Sequence, residues 1–453
     1  MCGKSSQEGY YLTRRALLEI AMLGGALVFL DGCSGSLGRP VRKGKISVRN
    51  PREGTTIQSL LTSTIPAGLG INIHLVEPQQ RDIERIVTAR FAFVRLDFPW
   101  ADIERRKGVY DFSGYETLVR AFARQGIRSL VILAYGNPLY DKSSAPFHVG
   151  PVTGEVKQAF ARFAAAAAAK FKGQKVVWEI WNEPNNPDFW QPGPNADAYV
   201  GLAKAAIKAM RRADAHATII APAVATFLQQ FPGAWKFLER CFALGLLEFT
   251  DAVSIHPYRS QPPETAASDY QRLRALIARY ASPGKNNIPI VSSEWGYPVL
   301  EKLPQTYQAA FLVREFLTNV INGVPLSIWY DWHDDGPDPQ SLQDNFGIVT
   351  WDYQPKLAYL AAQTLTKQLS GFHFTERLSL PSAGDFAIVF ARNTMKKLVL
   401  WTVDSLHTIT LSINAPAVTV VSTTGEARAL TTRNGALTIE LTGSPQYLQP
   451  YSV

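Results

Sequence analysis

Two glutamates stand where apolar stretches of the sequence end, and both are placed to do chemistry. Glu183 follows the apolar run at residues 176–181 and lies between an asparagine and a proline. Glu294 ends a second apolar run, which begins at Ile288. A pair of carboxylates can cleave a glycosidic bond, because one protonates the departing oxygen while the other attacks the sugar carbon or activates water. Glu183 and Glu294 are therefore the candidate catalytic residues.

Polar and aromatic side chains end several other strand-like stretches in the same way. A cation near a carboxylate favours its ionised form, so Arg95 could keep one of the two acids charged. The other acid needs a less polar setting to hold a proton near neutral pH. We expect the following residues to bind substrate: Arg95, Asn137, Asn182, His256, Tyr258, Trp295, Trp329 and Trp332.

The elements that must position these side chains alternate along the chain. Eight near-continuous apolar stretches are typical of buried parallel strands, and amphipathic helical patterns separate them. The predicted strands are Gly68–His74, Ala92–Asp97, Ile127–Tyr135, Lys175–Trp181, Ala217–Pro222, Asp251–His256, Ile288–Glu294 and Pro325–Asp331. The predicted helices include Tyr115–Gln125, Glu155–Phe171, Ala196–Ala213, Ser268–Tyr280 and Thr306–Asn322. Eight such units predict an α/β fold, a (β/α)₈ TIM barrel, whose catalytic groups lie at the carboxyl ends of the strands.

Short alternating runs replace this pattern after about residue 366 and indicate an antiparallel β-sandwich domain. The predicted strands there are Phe386–Ala391, Leu398–Val403, Thr408–Ile413, Val418–Ser422 and Ala436–Leu441. The predicted organisation is a signal or anchor at 1–33, a basic linker at 34–60, a catalytic barrel at 61–366 and a β domain at 367–453.

The N-terminal residues resemble an export signal. Arg14 and Arg15 precede a short apolar run, and Leu30-Asp31-Gly32-Cys33 resembles a bacterial lipoprotein box with an unusual aspartate. The run is too short to span a bilayer comfortably. We expect a periplasmic or membrane-anchored protein that faces outside the cytoplasm. Lipidation of Cys33 and an uncleaved N-terminal anchor are the two alternatives for membrane attachment.

Composition excludes several classes of protein. The 453 residues are 46% hydrophobic and carry three cysteines without metal-ligand spacing, so neither a disulfide framework nor a zinc site is indicated. The formal charge is +8, and basic residues concentrate just after Cys33. No basic-aromatic pattern typical of nucleic-acid binding is present in the sequence. We expect a monomer that binds an oligo- or polysaccharide and needs neither a metal ion nor an organic cofactor.

The order of these motifs resembles that of the clan A retaining glycoside hydrolases. Trp181-Asn182-Glu183-Pro184 ends the fourth strand, and Glu294 ends the seventh. The resemblance implies that Glu183 is the acid/base and Glu294 the nucleophile. It also implies that Asn182 binds the sugar 2-hydroxyl.

Three further residues match the same pattern. Arg95 resembles the arginine of the second strand in this clan, and Tyr258 resembles the tyrosine that contacts the nucleophile. Trp329 resembles the tryptophan that forms the floor of the −1 subsite.

Within the clan, residues 109–115 and 135–140 are most similar to family 39, and family 5 is the alternative. Family 39 includes β-xylosidases, α-iduronidases and a Psl-type endoglycosidase of biofilm exopolysaccharide. The last of these matches the export signal and the domain order. We therefore expect internal cleavage of an exopolysaccharide. An exo-β-glycosidase such as a β-xylosidase, a transglycosylase and a non-catalytic carbohydrate-binding lipoprotein remain alternatives.

An acidic cluster follows the eighth strand. Its members are Asp331, His333, Asp334, Asp335 and Asp338. Such a cluster could hold a cation or bind sugar hydroxyls, but its spacing does not match a calcium-binding loop. The favoured interpretation is a polar loop of the barrel.

Overall fold

The computed structural model describes residues 64–75, 77, 79–142, 148–225 and 233–451. Eight parallel strands close into a barrel in sequence order, each paired with its neighbours and the last with the first. They are β1 Leu69–Asn72, β2 Phe93–Pro99, β3 Arg128–Ala134, β4 Val177–Ile180, β5 Thr218–Ala225, β6 Ala252–His256, β7 Ile290–Trp295 and β8 Ser327–Trp329. The predicted TIM barrel is confirmed, and each predicted strand overlaps one observed strand.

Helices surround this barrel. They are α1 Gln80–Thr88, α2 Trp100–Ile103, α3 Ser113–Arg124, α4 Gly154–Lys170, α5 Ala196–Ala213, α6 Ala234–Ala243, α7 Ala266–Tyr280, α8 Gln305–Ile321 and α9 Leu357–Gln368. Two of them begin at side-chain caps, because Thr153 and Asn195 accept hydrogen bonds from backbone N–H groups of the first turn. The five predicted helices are present within two residues at each end.

The barrel interior changes character along the strand direction. Its lower layer is an apolar cluster with contributions from seven of the strands: Phe93, Leu130, Val177, Ile220, Ala252, Val291, Leu326 and Ile328. Side chains two positions further along a strand point to the same side. Two positions after Phe93 comes Arg95, and two positions after Val177 comes Glu179, both buried. The period-two geometry therefore stacks a charged layer directly above the apolar one.

The C-terminal region is a small β-sandwich. A six-stranded sheet has the order β14-β13-β16-β11-β10-β9, and β12 and β15 form a second sheet. The strands are β9 His373–Arg377, β10 Asp385–Arg392, β11 Met395–Thr402, β12 His407–Ser412, β13 Ala417–Val421, β14 Ala427–Thr431, β15 Ala436–Leu441 and β16 Gln446–Gln449. An apolar cluster that includes Val389, Leu400 and Ile439 fills the space between the sheets. The predicted antiparallel domain is confirmed.

The other face of the six-stranded sheet belongs to the barrel core, where Phe390, Trp401 and Tyr447 join the barrel's apolar residues. A buried ion pair accompanies this contact. Arg314 of α8 donates from Nε and Nη2 to the two carboxylate oxygens of Glu264, at 2.7 and 2.8 Å. Trp401 Nε1 donates to the same carboxylate at 2.7 Å. The β domain is therefore joined to the barrel by both apolar and charged contacts.

The predicted signal at 1–33 and the linker at 34–60 lie outside the described residues. Within the described ranges, no helix combines the length and the hydropathy needed to cross a bilayer. The predicted boundary between residues 366 and 367 falls in the last turn of α9, six residues before the sheet gains its first edge strand at His373.

Candidate active site

Arg95 occupies the centre of the barrel mouth and is 1% exposed. Its Nε and Nη2 donate to Glu179 Oε2 at 3.0 and 2.8 Å, and its Nη1 donates to Glu294 Oε2 at 2.6 Å. The same side chain donates to Asn72 Oδ1 at 3.1 Å and to Asn182 Oδ1 at 3.0 Å. The rigid fork of an arginine suits such a role. Arg95 therefore holds residues from β1, the β4 end and β7 in one arrangement.

The charge of this guanidinium is secured by its neighbours. Burial by itself lowers the pKa of Arg95, but the carboxylates of Glu179, Glu294 and Asp97 raise it above the ordinary value. A buried cation needs such compensation, because an uncompensated charge in the interior is costly. The site thus carries a fixed positive charge beside Glu294.

Glu294 reaches the site because β7 is irregular at its end. The pairing of β7 with β8 shifts register between Ser292 and Trp295, as in a β-bulge. Such an irregularity re-aims a side chain and is common beside active sites. Glu294 Oε1 accepts a hydrogen bond from the Tyr258 hydroxyl at 2.9 Å, while Oε2 faces Arg95. The carboxylate is thereby oriented from two sides.

Glu183 sits on a strained turn at the end of β4. Trp181 has φ of 67° and Glu183 has φ of 47°, both in the left-handed region that costs free energy for residues other than glycine. The backbone N–H of Glu183 donates to the carbonyl of Ala223 beyond the middle of β5, and Trp181 Nε1 donates to the carbonyl of Phe189. These bonds fix the turn that carries the carboxylate into the mouth.

His256 lies between the two halves of the site. Its Nε2 is 3.3 Å from Nη2 of Arg95, which can only donate, so Nε2 accepts and Nδ1 carries the proton. Nδ1 then donates to Glu183 Oε1 at 2.9 Å and lies 3.9 Å from Glu294 Oε2. Glu183 Oε2 accepts from Asn186 Nδ2 at 2.9 Å. Both oxygens of Glu183 therefore accept hydrogen bonds, one from His256 and one from Asn186.

The two glutamates face each other closely. One carboxylate oxygen of Glu183, one of Glu294 and a ring nitrogen of His256 all lie within 4.8 Å of one another. Retaining glycosidases place their two carboxyl groups about 5–5.5 Å apart, and inverting enzymes separate them by about 6.5–9.5 Å. The observed spacing belongs to the first arrangement.

Two tryptophans and a tyrosine pack together near the ends of β7 and β8. Trp295 and Trp329 are fully buried, and Tyr297 packs near both rings. Burial, followed by the charges of Glu294 and Glu183, raises the pKa of Tyr135 well above its ordinary value, and Tyr135 also hydrogen-bonds Asn182. Its hydroxyl therefore stays protonated through the neutral range.

Two of the predicted substrate-binding residues have their side chains engaged elsewhere. Asn137 donates to the carbonyls of Trp100 and Glu104, and its oxygen accepts from a backbone N–H two residues later. Trp332 donates to Asp82 of α1 at 3.0 Å and packs against Tyr359 of α9. The structure gives both a role in holding loops and helices. Arg95, Asn182, His256 and Tyr258 lie around the glutamates, whereas Trp295 and Trp329 are fully buried and present no open ring face.

Sequence reasoning missed three residues of this site: Asn72, Glu179 and Asn186. Glu179 had a signal, since a charged residue inside an apolar strand is rare unless it is paired. Asn186 follows Glu183 by one helical turn's spacing, and Asn72 ends β1 as the other polar residues end their strands. None of the three is among the motif residues that indicated a clan A barrel.

The acidic cluster after β8 separates in space. Asp331 and Asp335 join His74 in a group whose ligand atoms lie within 4.8 Å of one another. Asp334 instead accepts from Lys356 Nζ at 2.6 Å, and burial raises the pKa of Asp334 to about 6. Either trio of acidic and histidine ligands has the donor types that suit a cation, but in the catalytic trio Arg95 already neutralises Glu294. The absence of a required metal stays a prediction.

Comparison with known proteins identifies the barrel. The family described as "Cellulase (glycosyl hydrolase family 5)" matches residues 62–335. A β-xylosidase of Caldicellulosiruptor saccharolyticus is 24% identical over 233 residues, which are 47% of this chain and 46% of that protein. The chain thus matches about half the length of this curated relative.

Solved structures show the same fold. A family 39 glycoside hydrolase of Bacteroides cellulosilyticus WH2 superposes with a TM-score of 0.73 at 24% identity, over 84% of this chain and 80% of that one. A family 39 β-xylosidase of Caulobacter crescentus gives a TM-score of 0.63 at 16% identity, over 86% and 97% of the two chains. The predicted resemblance to clan A glycoside hydrolases of families 39 and 5 is confirmed. Since the match extends over residues 62–335, the chain belongs to the cellulase family, glycosyl hydrolase family 5.

Proposed function

We propose that this protein is a retaining glycosidase that cleaves a polysaccharide internally, with Glu294 as the nucleophile and Glu183 as the acid/base. The observation that carries the proposal is the spacing of the two carboxylates, whose nearest oxygens lie within 4.8 Å across the barrel mouth. That gap admits direct attack on the sugar but leaves too little room for a water molecule between carboxylate and sugar, which inversion requires.

In the first step, a carboxylate oxygen of Glu294 attacks the anomeric carbon and forms a covalent glycosyl ester. Glu183 gives its proton to the glycosidic oxygen, which leaves with the bonding electron pair. Arg95 and Tyr258 hold Glu294 at 2.6 and 2.9 Å, so the nucleophile is oriented before the substrate binds. Such preorganisation lowers the entropic part of the barrier.

In the second step, Glu183 removes a proton from water as the water attacks the same carbon. The ester bond to Glu294 breaks, and its carboxylate is restored. His256 Nδ1 and Asn186 Nδ2 hold the two oxygens of Glu183, so the same group can act from one position in both steps. Two inversions at one carbon give net retention.

The proposed substrate is an exopolysaccharide outside the cytoplasm. The signal-like sequence around Arg14, Arg15 and Cys33 supports export. The barrel mouth supports a carbohydrate ligand, because Asn182 lies beside Glu183 and Arg95 holds its Oδ1. Asn182 would bind the sugar 2-hydroxyl.

An exo-acting β-xylosidase is the second candidate. The curated relative named β-xylosidase favours it. The two candidates share the same glutamates and differ only in how much of the sugar chain is held beyond the cleaved bond. Their products therefore separate them.

The test uses protein that begins after Cys33, incubated with neutral and acidic polysaccharides of bacterial and plant origin. Mass spectrometry records the released sugars, and the Glu183→Gln and Glu294→Gln variants are treated in parallel. Oligosaccharide ladders that only the wild type releases support internal cleavage. Xylose or another monosaccharide alone supports the exo-acting candidate.

Products longer than the substrate would indicate transglycosylation by the same two residues. Equal behaviour of the wild type and both variants, with polysaccharide binding retained, would contradict catalysis and favour a carbohydrate-binding role. Proton NMR of the first-formed product decides the stereochemistry, since inversion at the anomeric carbon would refute Glu294 as the nucleophile.

A further inference from the structure

We propose that Trp351, with His333, Tyr353 and Arg81, forms a stacking platform for a sugar unit beyond the cleavage site, on the glycone side. The proposal rests on the proposed glycosidase function and adds a binding site to it. The ligand class is a chain of pyranose sugars, whose apolar ring faces stack on aromatic side chains.

Trp351 is the first observation. The indole is 51% exposed, whereas Trp295, Trp329, Trp332 and Trp401 are almost fully buried. An exposed indole presents an apolar ring face on which the apolar face of a sugar can stack. A single exposed tryptophan needs a second observation, and its surroundings provide it.

The rings around Trp351 are built into a rigid unit. The His333 ring lies 4.1 Å from the Tyr353 ring and 5.8 Å from the Trp351 ring, centroid to centroid. The guanidinium of Arg81 lies over the Tyr353 ring, 3.4 Å from its centroid. His333 Nε2 donates to the carbonyl of Trp351 at 3.1 Å. Burial lowers the pKa of His333, so the ring is neutral at neutral pH.

The backbone of the turn that carries Trp351 is fixed as well. Thr350 N donates to the carbonyl of Gln354, and Tyr353 N donates to the carbonyl of Thr350, both at 2.8 Å. Arg85 Nη1 of α1 donates to the carbonyl of Tyr353 at 2.6 Å. A platform held in this way loses little conformational entropy when a ligand stacks on it.

The fold places this platform on the catalytic face of the barrel. Strands end on that face and the following helices begin there. Arg81 belongs to the first turn of α1, and α9 begins at Leu357, four residues after Tyr353. The platform therefore lies at the rim of the mouth, in the sector between β8 and β1.

A polar strip connects the platform with the catalytic residues. Asn72 bonds Arg95, and its Nδ2 lies 3.3 Å from Nε2 of His74. His74 Nε2 lies 3.5 Å from Asp331 Oδ2, and His333 follows Asp331 by two residues. These contacts run from the nucleophile's arginine to Asp331 and fix the position of the platform relative to the site. His74 is the partly exposed member, whereas Asn72 and Asp331 are buried.

The direction follows from the barrel. In a closed barrel of eight strands in sequence order, β4 lies opposite β8. Glu183 at the end of β4 must face the departing sugar, because it protonates the oxygen that leaves. The platform stands on the opposite side, where the sugar that stays bound to Glu294 continues. It is therefore assigned to the −2 position or beyond.

The experiment uses two series of p-nitrophenyl β-glycosides, one of xylose chains and one of cellulose-type glucose chains. Each series has substrates of one, two, three and four sugars. The aryl group leaves, so every sugar occupies the glycone side. We expect kcat/KM to rise with chain length in the wild type. Trp351→Ala should lower kcat/KM for the longer substrates about 10-fold and leave the one-sugar substrate unchanged. Trp351→Phe should retain most of the rise.

Leu406→Ala is the matched control, because Leu406 is 62% exposed on the β domain and its truncation should change nothing. Equal loss of activity on all lengths in Trp351→Ala would overturn the proposal. So would an unchanged length dependence.

If the wild type hydrolyses none of these glycosides, the proposed function fails on these substrates, and calorimetric titration with xylohexaose and cellohexaose decides the platform separately. Binding of either hexasaccharide that Trp351→Ala abolishes would support the platform. Binding that is insensitive to the substitution, or no binding of either, would overturn it.

Discussion

Two buried arginine–carboxylate clusters in the described part of the chain have opposite designs. At the barrel mouth, Arg95 divides its donors between Glu179 and Glu294 and also holds two asparagines. At the junction with the β domain, Arg314 makes a two-point contact with the single carboxylate of Glu264. Both arginines are almost fully buried.

The difference lies in what each arginine leaves available. Glu264 is fully engaged, since Trp401 Nε1 also donates to it, so this cluster can only hold the two parts of the chain together. Glu294 meets Arg95 through one oxygen and Tyr258 through the other, and it still faces Glu183 across the mouth. Similar charge pairs thus serve stability in one place and, in our proposal, catalysis in the other.

The largest expected effect is that of Glu294→Gln. Loss of the nucleophile should reduce kcat on any glycoside on the order of 10⁴-fold or more, because no covalent intermediate can form. The protein should stay folded, since Gln keeps the shape of Glu and Arg95 keeps its pair with Glu179. Steady-state kinetics and calorimetry check the two halves. Glu376→Gln, an exposed glutamate of β9, is the control, and a Glu294 variant with near-normal turnover would contradict the assignment.

Glu183→Gln should have a smaller effect that depends on the leaving group. General acid catalysis contributes roughly 10²–10⁴-fold, so hydrolysis of an alkyl or sugar leaving group should fall by about that factor. Formation of the glycosyl-enzyme from a dinitrophenyl glycoside should be nearly unaffected, because that leaving group needs no proton. Pre-steady-state release of dinitrophenol measures this step. Equal losses with both kinds of leaving group would argue against an acid/base role.

At the other cluster, Glu264→Ala should lower stability and spare catalysis. It leaves Arg314 without its carboxylate and Trp401 Nε1 without its acceptor, and breaking a buried pair costs about 3 kcal/mol or more. Urea unfolding should show this loss, while kcat/KM of the folded protein stays within about twofold. Glu376→Ala serves as the exposed control. A large loss of activity at full folding would show that the β domain shapes the active site.

The smallest effect is expected at Glu315, a buried carboxyl outside both clusters. Within the described part of the chain, neither of its oxygens has a hydrogen-bond partner, and burial raises its pKa well above the ordinary value despite the opposing charge of Arg259. The folded state therefore keeps a proton that the unfolded state loses above about pH 4.3. The contribution of this bound proton to the free energy of unfolding is fully present below that pH. It is lost as pH rises toward the pKa of Glu315 in the folded state.

The Glu315→Gln variant should not lose this stability as pH rises, since an amide cannot ionise. We expect the variant to melt a few degrees higher than the wild type at pH 7 and to match it at pH 4. Melting curves across this range check the prediction. A wild type and variant with the same pH dependence would show that Glu315 ionises normally in the folded protein.

Much of the fold could be predicted because buried segments have a recognisable apolar pattern in the sequence. Each barrel strand is covered on both sides and reads as an apolar run, so all eight were found. The strands β9, β14 and β16 were missed. β16 is a central strand of only four residues, whereas β9 and β14 are edge strands whose residues are mostly exposed. An edge strand needs no apolar face and so leaves no periodic pattern. The four-residue α2 is too short to show one.

The sequence by itself determined the position of Glu183 and Glu294 at strand ends and the order of motifs that indicates a clan A barrel. Only the tertiary structure decided which residues surround them. Barrel closure brings β1, β4 and β7 around Arg95 of β2. Spacing in the sequence could not show that Asn72 and Glu179 contact this arginine. It also drew Asn137 and Trp332 into contacts with neighbouring loops and helices. A strand is visible in a short stretch of sequence because burial selects each residue of the strand. The site is formed by contacts between residues far apart in the chain, which no short stretch shows.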